Sequence, residues 1–153
     1  MKLIAMILLC AGFALPAGDP EGFHVWKSAE LKSIAKTLAP KVNETHSATQ
    51  PIPGIGNYSF ITILRTATAA AEYHETQADV FVVETGEGTL VIGGHLVDEK
   101  ATAPHERRGT SITGGTERKL APGDIVSIPA KIPHQIKVDA GKQIAYFIVK
   151  VTQ

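Results

Sequence analysis

The stretch Glu72-Tyr73-His74-Glu75-Thr76-Gln77-Ala78-Asp79-Val80-Phe81-Val82-Val83-Glu84-Thr85-Gly86 decides how the rest of the chain is read. It holds two candidate metal ligands two residues apart, Glu72 and His74, then the carboxylate of Asp79, then an apolar run closed by glycine. Side chains two apart on a β-strand point to the same face. Glu72 and His74 can therefore offer donors to one ion. A turn at Thr76-Gln77-Ala78 would open the next strand with Asp79 and return its carboxylate to the same pocket. Further on, Pro122-Gly123-Asp124 through Ile128-Pro129 to Pro133-His134 supplies a second imidazole from a strand with rigid ends. Two imidazoles with one or two carboxylates suit Mn, Fe, Co, Ni or Zn. A carboxylate-rich set leans to Fe(II) or Mn(II) where positions stay open for substrate. In a plainer arrangement, Glu72 and His74 would simply hydrogen-bond inside a polar barrel mouth. Against it stands the cost of burying unpaired carboxylates there.

The flanks of this stretch read as β-structure. Strands are expected over Tyr58–Thr66, Ala69–His74, Asp79–Glu84 and Thr89–Ile92, with turns at Gly86-Glu87-Gly88 and Gly93-Gly94. Residues 95–116 are long and mixed, with a short strand and an exposed excursion. Glu117–Leu120, Asp124–Ile128, Gln135–Val138 and Gln143–Val151 complete about nine strands. Phe81, Val83, Ile136 and Val138 share the inward parity of Asp79 and His134, so they should floor the pocket. Upstream, Val42–Asn57 is turn-rich and reads as a loop. Ser28–Ala39 reads as one amphipathic helix, with Leu31, Ile34, Ala35 and Leu38 on one face and Pro40 ending it. Trp26 should anchor its start. One helix followed by many short strands points to an all-β barrel or jelly roll.

A chain of 153 residues fits one domain. Its 15 basic and 15 acidic residues balance to zero, so the composition gives no argument for nucleic acid or an anionic membrane surface as partner. Lys2 followed by the apolar run Leu3–Leu15 has the shape of a secretory signal peptide and is short for a membrane span. Cleavage is expected after Ala17, with Ala14 as the other choice, and a retained anchor as the alternative. The expected organisation is a signal peptide over 1–17, an N-terminal helix and loop over 18–57, and a barrel over 58–153. The only cysteine, Cys10, falls in the leader, so the mature chain would have no disulfide and no thiol nucleophile. The expected location is secreted or periplasmic, without stable membrane association after cleavage.

The two stretches resemble the two signature motifs of the cupin superfamily. Glu72 takes the place of the first histidine, His74 the second and Asp79 the glutamate, with Gly86 at the expected spacing. Gly123, Pro129 and His134 match the second motif. The departures are Glu72 for histidine, Asp79 for glutamate, Thr66 for glycine, Lys131 for glycine and Val138 for asparagine. The resemblance implies a double-stranded β-helix with Glu72, His74, Asp79 and His134 as metal ligands. Aspartate is one methylene shorter than glutamate, which leaves Asp79 open to a place beside the ligands rather than among them. The resemblance also leaves a homodimer open, since family members often pair sheets.

Two functions follow. One is an exported metalloenzyme of dioxygenase, isomerase or lyase type acting on a small organic molecule, using a divalent Mn, Fe, Ni or Zn ion. In it Glu72 is ligand or proton acceptor, and Arg65, Phe81 and Ile136 contact the substrate. The other is a non-catalytic module that captures a small ligand or the metal itself. The fold does not choose between them. The remaining polar residues read more simply: His46, His95 and His105 as loop residues, Glu75 as exposed, and Arg107-Arg108 as a solvated charge pair.

Overall fold

The computed structural model describes residues 18–153; the expected leader and its Cys10 lie outside the described residues. In chain order the elements are α1 (Ser28–Lys32), α2 (Ile34–Leu38), a 3-10 turn (Ala39–Lys41), β1 (Ser47–Ile52), β2 (Tyr58–Arg65), β3 (Ala71–His74), β4 (Gln77–Gly86) and β5 (Gly88–Ile92). These are followed by β6 (His95–Val97), β7 (Lys100–Ala103), β8 (Glu106–Gly109), β9 (Ser111–Thr113), β10 (Thr116–Leu120), β11 (Ile125–Ile128), β12 (His134–Lys137) and β13 (Ile144–Thr152). One sheet runs β1-β2-β13-β4-β11 and the second runs β10-β5-β12-β3-β8-β7; β6 and β9 form a small ribbon. Neighbouring strands in all three pair antiparallel. Among the described residues no helix is long and apolar enough to cross a membrane.

Alternation along the strands divides the apolar residues into two cores. Between the sheets, Ile63, Phe81, Val83, Leu90, Leu120, Ile128, Ile136, Val138, Ile144, Tyr146 and Ile148 form the barrel interior. The four floor residues expected from parity are all in it. On the outer face of the five-stranded sheet, Leu64, Ala48, Ala145 and Phe147 receive Ile34 and Leu38 from the helices. Trp26 packs its ring against Phe60 and Phe147, with centroids 4.8 Å from each. The helical segment is therefore a cover on that sheet, with the expected apolar face turned inward.

Three local expectations change. The single helix is broken at Ser33, whose hydroxyl donates back to the Glu30 carbonyl at 2.7 Å, a competition typical of serine within helices. The expected loop before Asn57 contains β1, which pairs with β2 from Ser47↔Arg65 to Ile52↔Phe60. Pro51 is tolerated because β1 is an edge strand, where a missing N–H costs no ladder bond on the open side. The barrel sheet thus begins at Ser47 rather than at Tyr58. The region 95–116 holds four short strands instead of one, and β8 pairs directly with β3.

Gly86 turns the chain between β4 and β5 at φ +77°, and a Cβ there would collide with the Gln143 carbonyl. Gly86→Ala should therefore cost more than roughly 1 kcal/mol, outweighing the gain from a stiffer unfolded chain. Urea denaturation measures this, and an unchanged midpoint would show that the turn relaxes at no cost.

Candidate metal centre

The site is assembled by cross-strand neighbours. His134 on β12 lies directly opposite Glu72 on β3, the one residue pair that joins these strands. On the other side of β3, Glu72 faces Arg108 and His74 faces Glu106, both from β8. Across the barrel, Asp79 on β4 lies opposite Lys150 on β13. Residues directly opposite on one face have Cβ atoms about 5 Å apart, so register alone brings these groups together.

One donor atom each from Glu72, His74 and His134 lies within 4.8 Å of the others, the geometry for three ligands on one ion. Both imidazoles are oriented through their far nitrogen. His74 Nδ1 is 2.6 Å from Glu106 Oε2, and His134 Nδ1 is 3.0 Å from the Ile132 carbonyl. A carbonyl only accepts, so His134 carries a proton on Nδ1, which leaves Nε2, turned inward, as the nitrogen an ion would take. Such partners fix tautomer and ring direction in metal sites. The set of two imidazoles and one carboxylate fits a divalent transition metal.

Asp79 is 4 % exposed and stands beside this group rather than in it. Its Oδ2 lies 3.5 Å from His74 Nε2 and 3.6 Å from His134 Nε2. Both its oxygens are taken by Lys150 Nζ, at 2.8 and 3.0 Å. The same ammonium approaches His74 Nε2 at 3.1 Å.

The charges hold each other in place. Burial opposes ionisation of Glu72, but its bond to His74 and the Arg108, Arg65 and His134 charges keep its pKa well below the usual carboxylate range. Asp79 behaves alike: burial is outweighed by bonds to His134, His74 and Lys150. For His74, burial disfavours the cation, yet bonds to Asp79 and Glu72 push its pKa up to about 9 against the pull of Lys150. A doubly protonated His74 offers no lone pair, and Lys150 then leans on Asp79 alone.

These shifts set a pH profile for the metal-free protein. Glu72 and Asp79 contribute stability above their ordinary pKa values of 4.5 and 3.8, and lose it as pH falls. His74 contributes fully below 6.5 and loses its contribution as pH rises through about 9. Thermal melts should show a plateau between pH 4.5 and 6.5 and a decline on the alkaline side. Added Zn(II) should remove that decline, because an ion on Nε2 replaces the proton. A metal-free profile that stays flat through about pH 9 would contradict the assignment of His74.

The other expected site residues fall around this core. Arg65 donates from Nε to the Tyr146 hydroxyl at 2.8 Å and reaches Glu72 Oε1 from a terminal nitrogen at 3.4 Å. Phe81 and Ile136 are buried and line, with Arg65, Ile63 and Tyr146, a small inner cavity beneath Glu72 and His134. Above it an outer cavity of about 320 Å³ opens between Pro51, Ile61, Arg65, Glu106, Arg108 and Lys150. Arg108 keeps much of its side chain in solvent, as expected, but also binds Glu72 Oε1 at 2.6 Å. Arg107 does stay outside, bridging Glu75 and Glu99. His46 is exposed on its turn, and His105 pairs with Glu75 at the surface.

Sequence reading missed Glu106, Arg108, Tyr146 and Lys150. Signals existed. Glu106 and Arg108 repeat the i, i+2 spacing of Glu72 and His74, and Lys150 ends the inward series Ile144, Tyr146, Ile148. Glu106→Gln should loosen the His74 ring and lower metal affinity by roughly 10–100-fold, read by competition against a chelating dye. Unchanged affinity would make Glu106 a bystander.

By sequence, neither family models nor curated proteins give a match. Solved structures do. A Thermus thermophilus protein superposes with TM-score 0.54 at 19% identity, covering 76% of this chain and 92% of its own. A candidate mannose-6-phosphate isomerase of Ralstonia eutropha gives 0.51 at 19% identity, over 73% and 90%. A cupin-2 domain protein of Rhodospirillum rubrum gives 0.52 at 16% identity, over 71% and 61%. With its two antiparallel sheets closed over an inward-facing His and Glu cluster, the chain has the double-sheet barrel fold of that cupin-2 domain protein.

Proposed function

We propose that the chain is an exported, divalent-metal-dependent cupin that acts on a small organic acid in the manner of an isomerase or lyase. The observation that carries this reading is the convergence of Glu72, His74 and His134 within 4.8 Å, with both rings oriented through Nδ1. A divalent ion held by these three would supply Lewis-acid polarisation of a substrate oxygen. The acid class follows from the outer cavity, where Arg65, Arg108 and Lys150 line one volume. Arg65 is held in place by Tyr146, which leaves its guanidinium pre-aimed at a carboxylate. Glu72, with its depressed proton affinity, serves better as ligand than as base. Phe81 and Ile136 close the floor and exclude water. The kinship in fold to a candidate sugar-phosphate isomerase supports the reaction class without fixing it.

A second reading, a binding module without catalysis, is favoured by one fact: Glu72 and Asp79 are each already paired with a cation. Elemental analysis and metal titration of residues 18–153, beside Glu72→Ala and His134→Ala, test the metal. Stoichiometric Mn, Fe, Ni or Zn in the wild type, lost in both variants, is the expected result. No metal in any form would end the enzyme proposal. With metal present, small carboxylates should raise the melting temperature, and Arg65→Met should weaken that shift. Turnover of any such acid separates enzyme from module.

A further inference from the structure

We propose that Lys150 is a built-in competitor for the metal: its ammonium holds the inner side of the donor set and must withdraw into the outer cavity for an ion to enter. The inference rests on the metal reading above and deepens it. Lys150 Nζ contacts His74 Nε2 at 3.1 Å and both Asp79 oxygens at 2.8 and 3.0 Å. The His74 Nε2 position that an ion would need is therefore the one facing the ammonium. A divalent ion and an ammonium sharing His74 would repel strongly at the low dielectric of a side chain only 16 % exposed. The lysine has somewhere to go. It lines the small inner cavity and also the outer one of about 320 Å³, so rotation of its stem can carry Nζ from one to the other. Asp79 explains why the arrangement persists: without the ammonium, a buried carboxylate would sit unpaired beside two imidazoles. Ion entry would free Asp79, whose Oδ2 is already within 3.6 Å of both Nε2 atoms, to face the metal as a further carboxylate.

Removing the charge should therefore tighten metal binding. Lys150→Leu is the direct variant; Lys150→Gln, which can still hydrogen-bond Asp79, serves if the leucine variant does not fold. Lys150→Arg keeps the charge. Zn(II) and Mn(II) affinities are measured at one fixed pH by competition with a chelating dye, and melting temperatures with and without each ion. The neutral variants should bind at least tenfold more tightly than wild type, and the arginine variant should not gain. The metal-free leucine variant should melt lower than wild type and recover with Zn(II). Metal taken up by the neutral variants alone would show the same competition at its limit. Wild-type uptake with equal or weaker affinity in folded neutral variants would overturn this role and leave the metal site standing. No uptake by any form would overturn both.

Discussion

His74→Ala is expected to destabilise the fold by about 3–5 kcal/mol, the scale for removing one partner from a buried charged network, and to abolish metal uptake. The residue is 4 % exposed and stands between three acidic groups: Glu106 at 2.6 Å, Asp79 at 3.5 Å and Glu72 at 3.6 Å. With the ring gone, Lys150 still answers Asp79 and Arg108 still answers Glu72, but Glu106 loses its partner on the barrel side. A cavity is left among groups that all prefer water. Urea denaturation gives the stability and dye competition gives the affinity. A loss under about 1 kcal/mol would mean that the surrounding cations re-pair freely, and the cluster would then be a solvated rim rather than an organised centre. Glu72→Ala should lose the metal with a smaller cost in stability, since Glu72 is more exposed, at 15 %.

Phe81→Ala should cost about 3–5 kcal/mol for a different reason, the loss of a buried aromatic and the void left behind. Phe81 is 2 % exposed, and its ring lies 5.0 Å from that of Tyr146. Tyr146 in turn holds Arg65, so the void should loosen the guanidinium as well. The stability loss should therefore come with a weaker response to small carboxylates while metal affinity changes little. If the carboxylate response is untouched, Phe81 is core alone and its expected contact with substrate is withdrawn. Metal affinity and carboxylate response thus separate the two roles: His74 holds the metal and Phe81 supports the group that binds the acid.

Much of this architecture is legible in the chain. The apolar run Val80–Val83 and the glycine at 86 announce a strand and its turn, and the pair Glu72 and His74 announces a shared face. Hydrophobic period and turn chemistry are local, so a single sequence carries them. What escapes reading depends on register between distant strands. Arg108 looks solvated beside Arg107 until β8 pairs with β3, and only then does its partner prove to be Glu72. Lys150 looks like a charged strand end until Asp79 lies opposite it, 71 residues away in sequence. β1 is hidden for a third reason. Pro51 inside it and the turn Pro53-Gly54-Ile55-Gly56 just after it mask the strand, whereas its pairing with β2 needs only an edge.

β13 follows every other described strand in sequence, yet it lies in the middle of its sheet, between β2 and β4. Until it arrives, those two neighbours face each other with open edges, and Ile144, Tyr146 and Ile148 are missing from the interior. Completion of the barrel therefore waits for Ile144–Thr152 to be made, and a nascent chain stopped before Ile144 remains open. Such a delay would suit the export proposed above, because a chain that crosses a membrane as a thread must not close first. It also makes this nine-residue strand a poor place for truncation, since shortening it removes the seam on which the rest closes.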